Sequence, residues 1–231
     1  IASGVKVTYK NITYSSSIAQ AVFFDKNFPV YAPSGRLLGY RTRTPGEVEF
    51  DNKKARRVPI KVKFKRGNSA VDTTLGFQYA LFNKANLPGD PFVFNYNSIV
   101  DFAYKPLIGN NFSFSIATPP DINADIKITN VSSNNTRSFQ LTWNKSQLKD
   151  IEVIVGVIPP GRREAIPLYR LKTRDDGSLK IPVSLLSKIN QSSFDRLVFT
   201  ITRRYENNHS NANIDLHVIS QSTHTIVVDI P

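Results

Sequence analysis

Apolar and polar side chains alternate from Ser138 to Trp143, in the order SFQLTW. Because successive side chains of an extended strand point to opposite sides, Phe139, Leu141 and Trp143 are expected on one face. After a polar connection, residues 151–158 form a mostly β-branched apolar run, which predicts a second, adjacent strand of an antiparallel sheet. The only tryptophan of the chain therefore falls in a strand pair suited to the core of a β-sandwich.

The same period of two recurs through both halves of the chain, with turn residues between the segments. No segment shows a sustained helical period, and only residues 182–189, which begin with a proline, predict a short helical turn. The predicted fold class is therefore all-β, built from sandwiches. Further strands are predicted at residues 4–14, 19–24, 37–43, 58–65, 75–83, 92–96, 99–104, 112–116, 126–131, 166–172, 197–205, 214–219 and 225–230.

A domain boundary is predicted at the four residues Thr118, Pro119, Pro120 and Asp121. Two prolines after a strand favour an extended linker, because proline also pushes the preceding residue out of the helical region. The chain is thus predicted to form two β-sandwich domains. The first would span residues 1–118 and the second residues 119–231.

The second domain carries several features in a characteristic order. They are Pro120, the L-x-W pattern that ends at Trp143, the pair Asp176–Gly177 before Leu179, and a late strand that ends at Tyr205. In these features it resembles a fibronectin type III or immunoglobulin-like module. The resemblance implies two antiparallel sheets packed face to face. It leaves the activity open, because one fold can host many functions.

The whole chain combines short strands, many Asn, Ser, Lys and aromatic residues, and no cysteine. In this style it resembles exported surface proteins and lipoproteins of Bacteroidota-type bacteria. The resemblance implies the periplasm, the outer-membrane surface or the extracellular space, with a lipid anchor outside the present chain and no enzyme activity. The chain also contains no methionine, so Ile1 is expected to follow removal of an export signal, the alternative being that the chain was cut at this point from a longer protein.

The composition removes several classes of site. Without cysteine there can be no disulfide, no thiol catalysis and no cysteine-based zinc site. No apolar run approaches the roughly 18 residues of a membrane-spanning helix, so no transmembrane span is predicted.

Positive charge is concentrated in the first half of the chain. The formal net charge is +12, and between Arg36 and Arg66 eleven basic residues stand against three acidic ones. The predicted ligand-binding residues all belong to this cluster. They are Arg41, Arg43, Lys53, Lys54, Arg56, Arg57, Lys61, Lys63, Lys65 and Arg66.

A strand at residues 58–65 would place Lys61, Lys63 and Lys65 on one face, at intervals of about 7 Å. Such a row attracts anionic partners, of which an anionic polysaccharide or an envelope protein fits an exported protein best. Nucleic acid is disfavoured, since no recognition motif accompanies the charge. Two alternatives need no ligand: the lysines protect an edge strand from aggregation, or the charge only keeps the protein soluble.

Ten aromatic residues lie between Phe77 and Phe114. They could form a stacking platform for sugars. Because most of them alternate at strand spacing, packing in a core is the favoured interpretation.

Catalytic patterns are weak. The three histidines are His209, His217 and His224. Ser220, His224 and Asp229 could supply a Ser–His–Asp set, but they fall in one short segment without a nucleophile-elbow motif. The spacing of seven between His217 and His224 matches no usual metal site.

Paired carboxylates are the other catalytic candidate. Glu47, Glu49 and Asp51 alternate, which would space carboxylates about 7 Å apart, a separation suited to a glycosidase. Nearby basic residues favour ion pairs instead. EF-hand, P-loop and GxGxxG patterns are absent. No catalytic residue, metal site or cofactor is therefore predicted.

The sequence as a whole predicts a non-enzymatic, exported cell-envelope module that binds an anionic polymer or a protein partner. The alternative is a structural spacer or adhesion-type domain pair that packs against other domains or copies. A glycoside-acting enzyme is the third hypothesis. The oligomeric state is not determined by these patterns.

Overall fold

The computed structural model describes residues 1–66, 69–82, 92–131, 136–189, 193–211 and 214–229. Within these ranges the secondary structure is almost entirely β-strand, with one helix of four residues. The prediction of an all-β fold is confirmed, as is the short helical turn after Pro182.

Strands follow one another along the whole described chain. Those of the first half are β1 (Ala2–Tyr9), β2 (Ile12–Ala21), β3 (Phe23–Tyr31), β4 (Leu37–Arg43), β5 (Gly46–Phe50), β6 (Lys53–Lys54), β7 (Arg56–Arg66), β8 (Ser69–Phe82), β9 (Ile99–Pro106) and β10 (Phe112–Ala117). Those of the second half are β11 (Ala124–Val131), β12 (Thr136–Trp143), β13 (Asp150–Ile158), β14 (Ile166–Arg174), β15 (Ser178–Ile181), β16 (Arg196–Asn211) and β17 (Ile214–Asp229), with helix α1 (Val183–Leu186) after β15.

The chain forms two compact units. The N-terminal unit comprises Ile1–Ala2, Ser17–Asn95 and Ile99–Ala117, and the C-terminal unit comprises Ser3–Ser16, Tyr96–Ser98 and Thr118–Pro231. This partition differs from the predicted division into residues 1–118 and 119–231, since two earlier segments belong to the C-terminal unit. The first of them contains most of β1, which lies beside β17.

Two sheets enclose the core of the C-terminal unit. One has the order β11–β12–β15, and the other runs β14–β13–β16–β17 and continues with β1 and the first half of β2. Side chains of both sheets meet in one apolar cluster, in which the ring centroids of Phe139 and Phe199 are 5.6 Å apart. Between the neighbouring strands β1 and β17, the Tyr9 hydroxyl donates to the Asp229 carboxylate at 2.9 Å.

The predicted pairing of residues 138–143 with residues 151–158 is wrong. The alternation itself is confirmed, because Phe139, Leu141 and Trp143 are all buried. However, β12 pairs with β11 and β15, whereas β13 pairs with β14 and β16. An apolar face looks the same in the sequence whether two strands are neighbours or face each other across a core.

Several further strand predictions need correction. Residues 19–24 span the end of β2 and the start of β3, whereas residues 214–219 and 225–229 belong to one strand, β17. Residues 83 and 230 of the predicted strands lie outside the described residues. Residues 4–14 are interrupted by the β1–β2 turn, because Lys10 and Asn11 have φ values of 49° and 63°, as a type I′ turn requires. Residues 92–96 are not in a strand, although Phe92 and Phe94 are buried.

The N-terminal unit has an aromatic core. Strand β8 lies between β7 and the second half of β2, and a separate sheet has the order β10–β9–β5–β6. The ring of Phe23 lies 5.9 Å from Tyr79 and 4.9 Å from Tyr104, measured between centroids. The preference for core packing between Phe77 and Phe114 is confirmed for five residues. These are Tyr79, Phe92, Phe94, Phe102 and Tyr104.

A buried ion pair closes one end of the core of the C-terminal unit. Arg203 of β16 donates from Nε to Asp175 Oδ2 at 2.7 Å and from Nη2 to Oδ1 at 2.9 Å. The indole N–H of Trp143 donates to the same carboxylate at 2.8 Å. Arg203 also donates to the carbonyl oxygens of Asp121, at 2.6 Å, and of Asn144. Both charges are therefore hydrogen-bonded on several sides, which offsets the cost of removing them from water.

The pKa of Asp175 results from two opposing effects. Burial raises the pKa, but hydrogen bonds from Arg203, Ser146 and Trp143 outweigh burial, so the net pKa is lowered. A lowered pKa in the folded state adds stability at pH values above the ordinary aspartate range. This stability is lost as the pH falls through the folded-state pKa.

We expect Trp143→Ala to lower the free energy of unfolding by about 3–5 kcal/mol, because it removes a buried ring and leaves a cavity. Urea denaturation would measure the change. Tyr14→Ala, at a site 63% exposed, provides the control and should have little effect. A loss below about 1 kcal/mol for Trp143→Ala would contradict its role in the core.

We expect Asp175→Asn to lower the free energy of unfolding by about 3–5 kcal/mol, because it leaves the Arg203 charge buried without a counter-charge. The matched experiment is the double variant Asp175→Asn/Arg203→Met, measured by the same urea titration. If the ion pair is energetically coupled, the double variant should lose less than the sum of the two single losses. Strictly additive losses would count against coupling.

Candidate functional site

The predicted ligand-binding residues fall on three strands of the N-terminal unit. Lys53 and Lys54 form β6, four others with described side chains lie on β7, and two lie on β4. Those on β7 are Arg56, Arg57, Lys61 and Lys63, and those on β4 are Arg41 and Arg43. The side chains of Lys65 and Arg66 lie outside the described part of the structure.

The structure brings three of these residues together around a surface pocket of about 560 Å³, here called the basic groove. Its lining consists of Gly46, Glu47, Lys54, Ala55, Arg56, Arg57 and Tyr79. The local fold explains the convergence. Asp51 and Asn52 adopt φ values of 49° and 60°, so a type I′ turn returns the chain and pairs β6 with β5 before β7 begins.

The basic groove carries more positive than negative charge. Its one carboxylate, Glu47, forms an ion pair with Lys54. The pKa of Glu47 is lowered, first by the hydrogen bond from Lys54 and then by the charges of Lys54, Lys105 and Arg57. Arg56 and Arg57 are exposed, and no ion pair to either is found within the described residues. Two guanidinium groups are therefore available to an anion, and guanidinium can bind a carboxylate through two parallel hydrogen bonds.

The wall of the basic groove is held by a buried hydroxyl. Tyr79 is 2% exposed, and its O–H donates to the carbonyl oxygen of Gly46 at 2.5 Å. Directly opposite Tyr79 in the strand pair is Arg57. The arginine is thus mounted on a strand whose neighbour is fixed in the core.

Beyond the basic groove, strand β7 carries two exposed lysines, Lys61 and Lys63. They are here called the lysine row. Val62 and Phe64 point to the other side and are half-buried, as the sequence predicted. Strand β7 is the last strand in the order of its sheet, and it contains Pro59, which has no N–H to offer. The lysine row therefore satisfies the geometry of a ligand site and that of a protected edge strand equally.

The basic residues of β4 are arranged differently. Arg43 is paired with Asp25 at 3.3 Å, and its guanidinium lies 5.0 Å from the centre of the Phe28 ring. Arg41 is exposed on the same strand. Neither residue lines the basic groove.

The alternating carboxylates each have their own partner. Glu47 is paired with Lys54 and Glu49 with Lys105, the latter at 2.5 Å. Asp51 accepts a hydrogen bond from the backbone N–H of Asp101 at 2.8 Å. The ion pairs that the sequence favoured are confirmed for the two glutamates.

Ser220, His224 and Asp229 do not share a hydrogen-bond chain in the structure. His224 is buried, its Nε2 lies 2.8 Å from the Thr8 hydroxyl, and its Nδ1 accepts the backbone N–H of Ala124 at 2.9 Å. Asp229 accepts from the Tyr9 hydroxyl instead. The imidazole therefore serves to join β1, β11 and β17.

The hydrogen bond from Ala124 to Nδ1 requires an unprotonated nitrogen, and the environment of His224 agrees with this. Burial lowers the pKa of His224, as does the charge of Lys6, while a backbone hydrogen bond at Ile122 and the carboxylates of Asp121 and Asp125 oppose the shift. The net pKa lies below the ordinary histidine value.

Since the folded state disfavours a proton on His224, the unfolded state binds more protons as the pH falls below about 6.5. We expect the free energy of unfolding to decrease between pH 7.5 and pH 5.5, and to decrease less in His224→Gln. Denaturant titrations at both pH values would test this. Equal decreases in the two proteins would mean that His224 is not the group responsible.

A charged surface on the outer side of the C-terminal unit has no signal in the local sequence pattern. There, a pocket of about 570 Å³ is lined by residues of β13, β14 and β16. Glu152 pairs with Arg170 at 2.5 Å and with Arg204 at 3.5 Å. Acids and bases alternate along these strands in the sequence, but the pairs depend on strand neighbours that the sequence does not give. Because the charges are largely paired, this surface offers less to an anion than the basic groove.

Comparisons of the chain with protein-family models, curated proteins and solved structures found no match. Among the described residues there is no helix of the length and apolar character needed to cross a membrane. The described part of the chain also holds no cluster of three or more His, Asp or Glu side chains suited to a metal ion.

Proposed function

We propose that this protein is a non-enzymatic binding module for an anionic polymer, most simply an acidic polysaccharide. The observation that carries the proposal is the alignment of the basic groove and the lysine row along one exposed strand, β7. Arg56, Arg57, Lys61 and Lys63 follow one another on that strand, and their charges face solvent.

The geometry favours a polymer over a small anion. From Arg57 to Lys63 the strand extends over about 20 Å, at roughly 3.3 Å per residue. A chain with a negative charge on each repeat can contact several cations at once along that length. Each additional contact adds to the affinity through multivalency, whereas a single carboxylate would use only one.

The proposed setting is the bacterial cell envelope or the extracellular space, as an exported protein. We also propose that the C-terminal unit is a fibronectin type III-like module, as the resemblance to exported surface proteins implies. What supports this is the strand orders β11–β12–β15 and β14–β13–β16–β17, which match the A–B–E and C′–C–F–G sheets expected of such a module. Trp143 lies on the second strand, whereas antibody domains carry their buried tryptophan on the third.

A structural spacer remains the second candidate, and one observation favours it. Strand β7 is the last of its sheet and carries exposed lysines and a proline, the usual devices against edge-to-edge aggregation. A spacer would need no ligand. The two functions therefore differ in whether a polymer binds at all.

We expect Arg56→Gln/Arg57→Gln to lower the affinity for polygalacturonate roughly tenfold or more, because two charge-assisted contacts are lost. Lys61→Gln/Lys63→Gln should lower it as well. Isothermal titration calorimetry at low and near-physiological salt would measure the affinities of both double variants. Their melting temperatures should match that of the wild type.

The matched control is Arg162→Gln/Arg163→Gln, which removes the same charge from an adjacent exposed pair in the C-terminal unit. Its affinity should stay close to that of the wild type. An equal loss of affinity in the control would mean that binding depends on the net charge of the protein and not on the basic groove. No binding of acidic polysaccharide by the wild type would reject the proposal and favour the spacer.

A further inference from the structure

The β3–β4 hairpin exposes an unusual number of aromatic rings. Phe24 is 51% exposed, Phe28 is 50% exposed and Tyr31 is 58% exposed. Within the described part of the chain, these two strands pair only with each other. Exposed apolar groups gathered in one place commonly mark an interaction surface, whereas scattered ones need no explanation.

One exposed ring of this hairpin is held in a defined orientation. Phe24 stacks on Tyr40, with ring centroids 5.9 Å apart and an angle of 20° between the planes. Tyr40 is half-buried and supports Phe24 from one side. Because Phe24 is half exposed, part of its ring is open to solvent and already oriented for stacking.

The hairpin does not need these exposed rings for its own attachment. Phe23, the neighbour of Phe24, is buried against Tyr79 and Tyr104 of the core. On the other strand, the Thr42 hydroxyl accepts the backbone N–H of Phe77 at 2.6 Å. The exposed part of Phe24 thus has no evident structural task.

The charge around the rings indicates what could cover them. Residues 23–43 contain four basic side chains and one acidic side chain. The basic ones are Lys26, Arg36, Arg41 and Arg43, and the acidic one is Asp25. A second copy of this chain, with its net charge of +12, would be repelled. An acidic partner is complementary to the hairpin.

We propose that the Phe24–Tyr40 pair is a stacking platform for the sugar rings of an acidic polysaccharide, whose carboxylates are attracted by the net positive charge of the hairpin. This inference rests on the proposed function and adds recognition of the sugar itself. One face of a pyranose ring presents C–H bonds, whose partial positive charge is attracted to the negative face of an aromatic ring. Carboxylates provide the anionic part, which guanidinium groups bind well.

The platform changes the expected salt dependence of binding. Contacts between exposed charges weaken as salt is added, but stacking of apolar surfaces does not depend on counterions. A protein that used only the basic groove and the lysine row would lose affinity for every polyanion progressively as salt is added. With the platform, part of the affinity for a uronic-acid polymer should persist.

The test compares Phe24→Ala with the wild type on two polycarboxylates, polygalacturonate and polyglutamate, by calorimetry at near-physiological salt. Only the first contains sugar rings. We expect the affinity of Phe24→Ala for polygalacturonate to fall roughly threefold to tenfold. Its affinity for polyglutamate and its melting temperature should not change. Tyr14→Ala, another exposed aromatic on β2, is the control and should bind as the wild type does.

Each other outcome overturns the inference in a distinguishable way. Unchanged binding of polygalacturonate by Phe24→Ala would remove the platform but leave the proposed function intact. An equal loss for both polymers would mean that Phe24 contributes without contacting sugar rings, which rejects the stacking platform. No binding of polygalacturonate by the wild type would reject the platform together with the proposed function.

Discussion

The buried contact between Arg203 and Asp175 is the constraint on which the C-terminal unit depends most. It joins β16 to the turn between β14 and β15, and the indole of Trp143 extends it to β12 in the opposite sheet. Apolar packing has no preferred direction, so many registers could bury the same rings. A guanidinium with several fixed partners is compatible with only a few registers. A slip of β16 by one residue would turn Arg203 to solvent and leave the carboxylate of Asp175 buried alone.

Much of the fold could be predicted from local pattern, because alternation reports directly on which side chains are buried. Phe139, Leu141 and Trp143 are the clearest case. Strand neighbours could not be predicted this way, since β12 and β13 are consecutive in the chain yet lie in different sheets. The positions of β1 beside β17 and of Arg203 in a core also had no local signal, as both depend on partners distant in sequence.

The candidate site, too, could be predicted only in part from the sequence. The density of basic residues on β6 and β7 was visible in the sequence, and so was the alternation that exposes Lys61 and Lys63. That Lys54 would be neutralised by Glu47, and Arg43 by Asp25, depends on turns and strand pairs that composition does not reveal. The stacked rings of Phe24 and Tyr40 were missed because aromatic residues in short strands are usually taken as core. The positions of basic residues follow directly from the sequence. Which rings are exposed depends on contacts between segments distant in the chain.

The place of β1 has a consequence for the order in which the protein can fold. Tyr9 and Asp229 form a hydrogen bond although 220 residues separate them in sequence. Residues 17–117 contain nearly all of the N-terminal unit, so that unit depends mainly on contacts made within one continuous stretch. The C-terminal unit must instead close a loop almost as long as the chain before its sheet is complete, and such distant contacts form slowly. Strand β1 is synthesised first, but it can take its place in the sheet only after β17 has been synthesised.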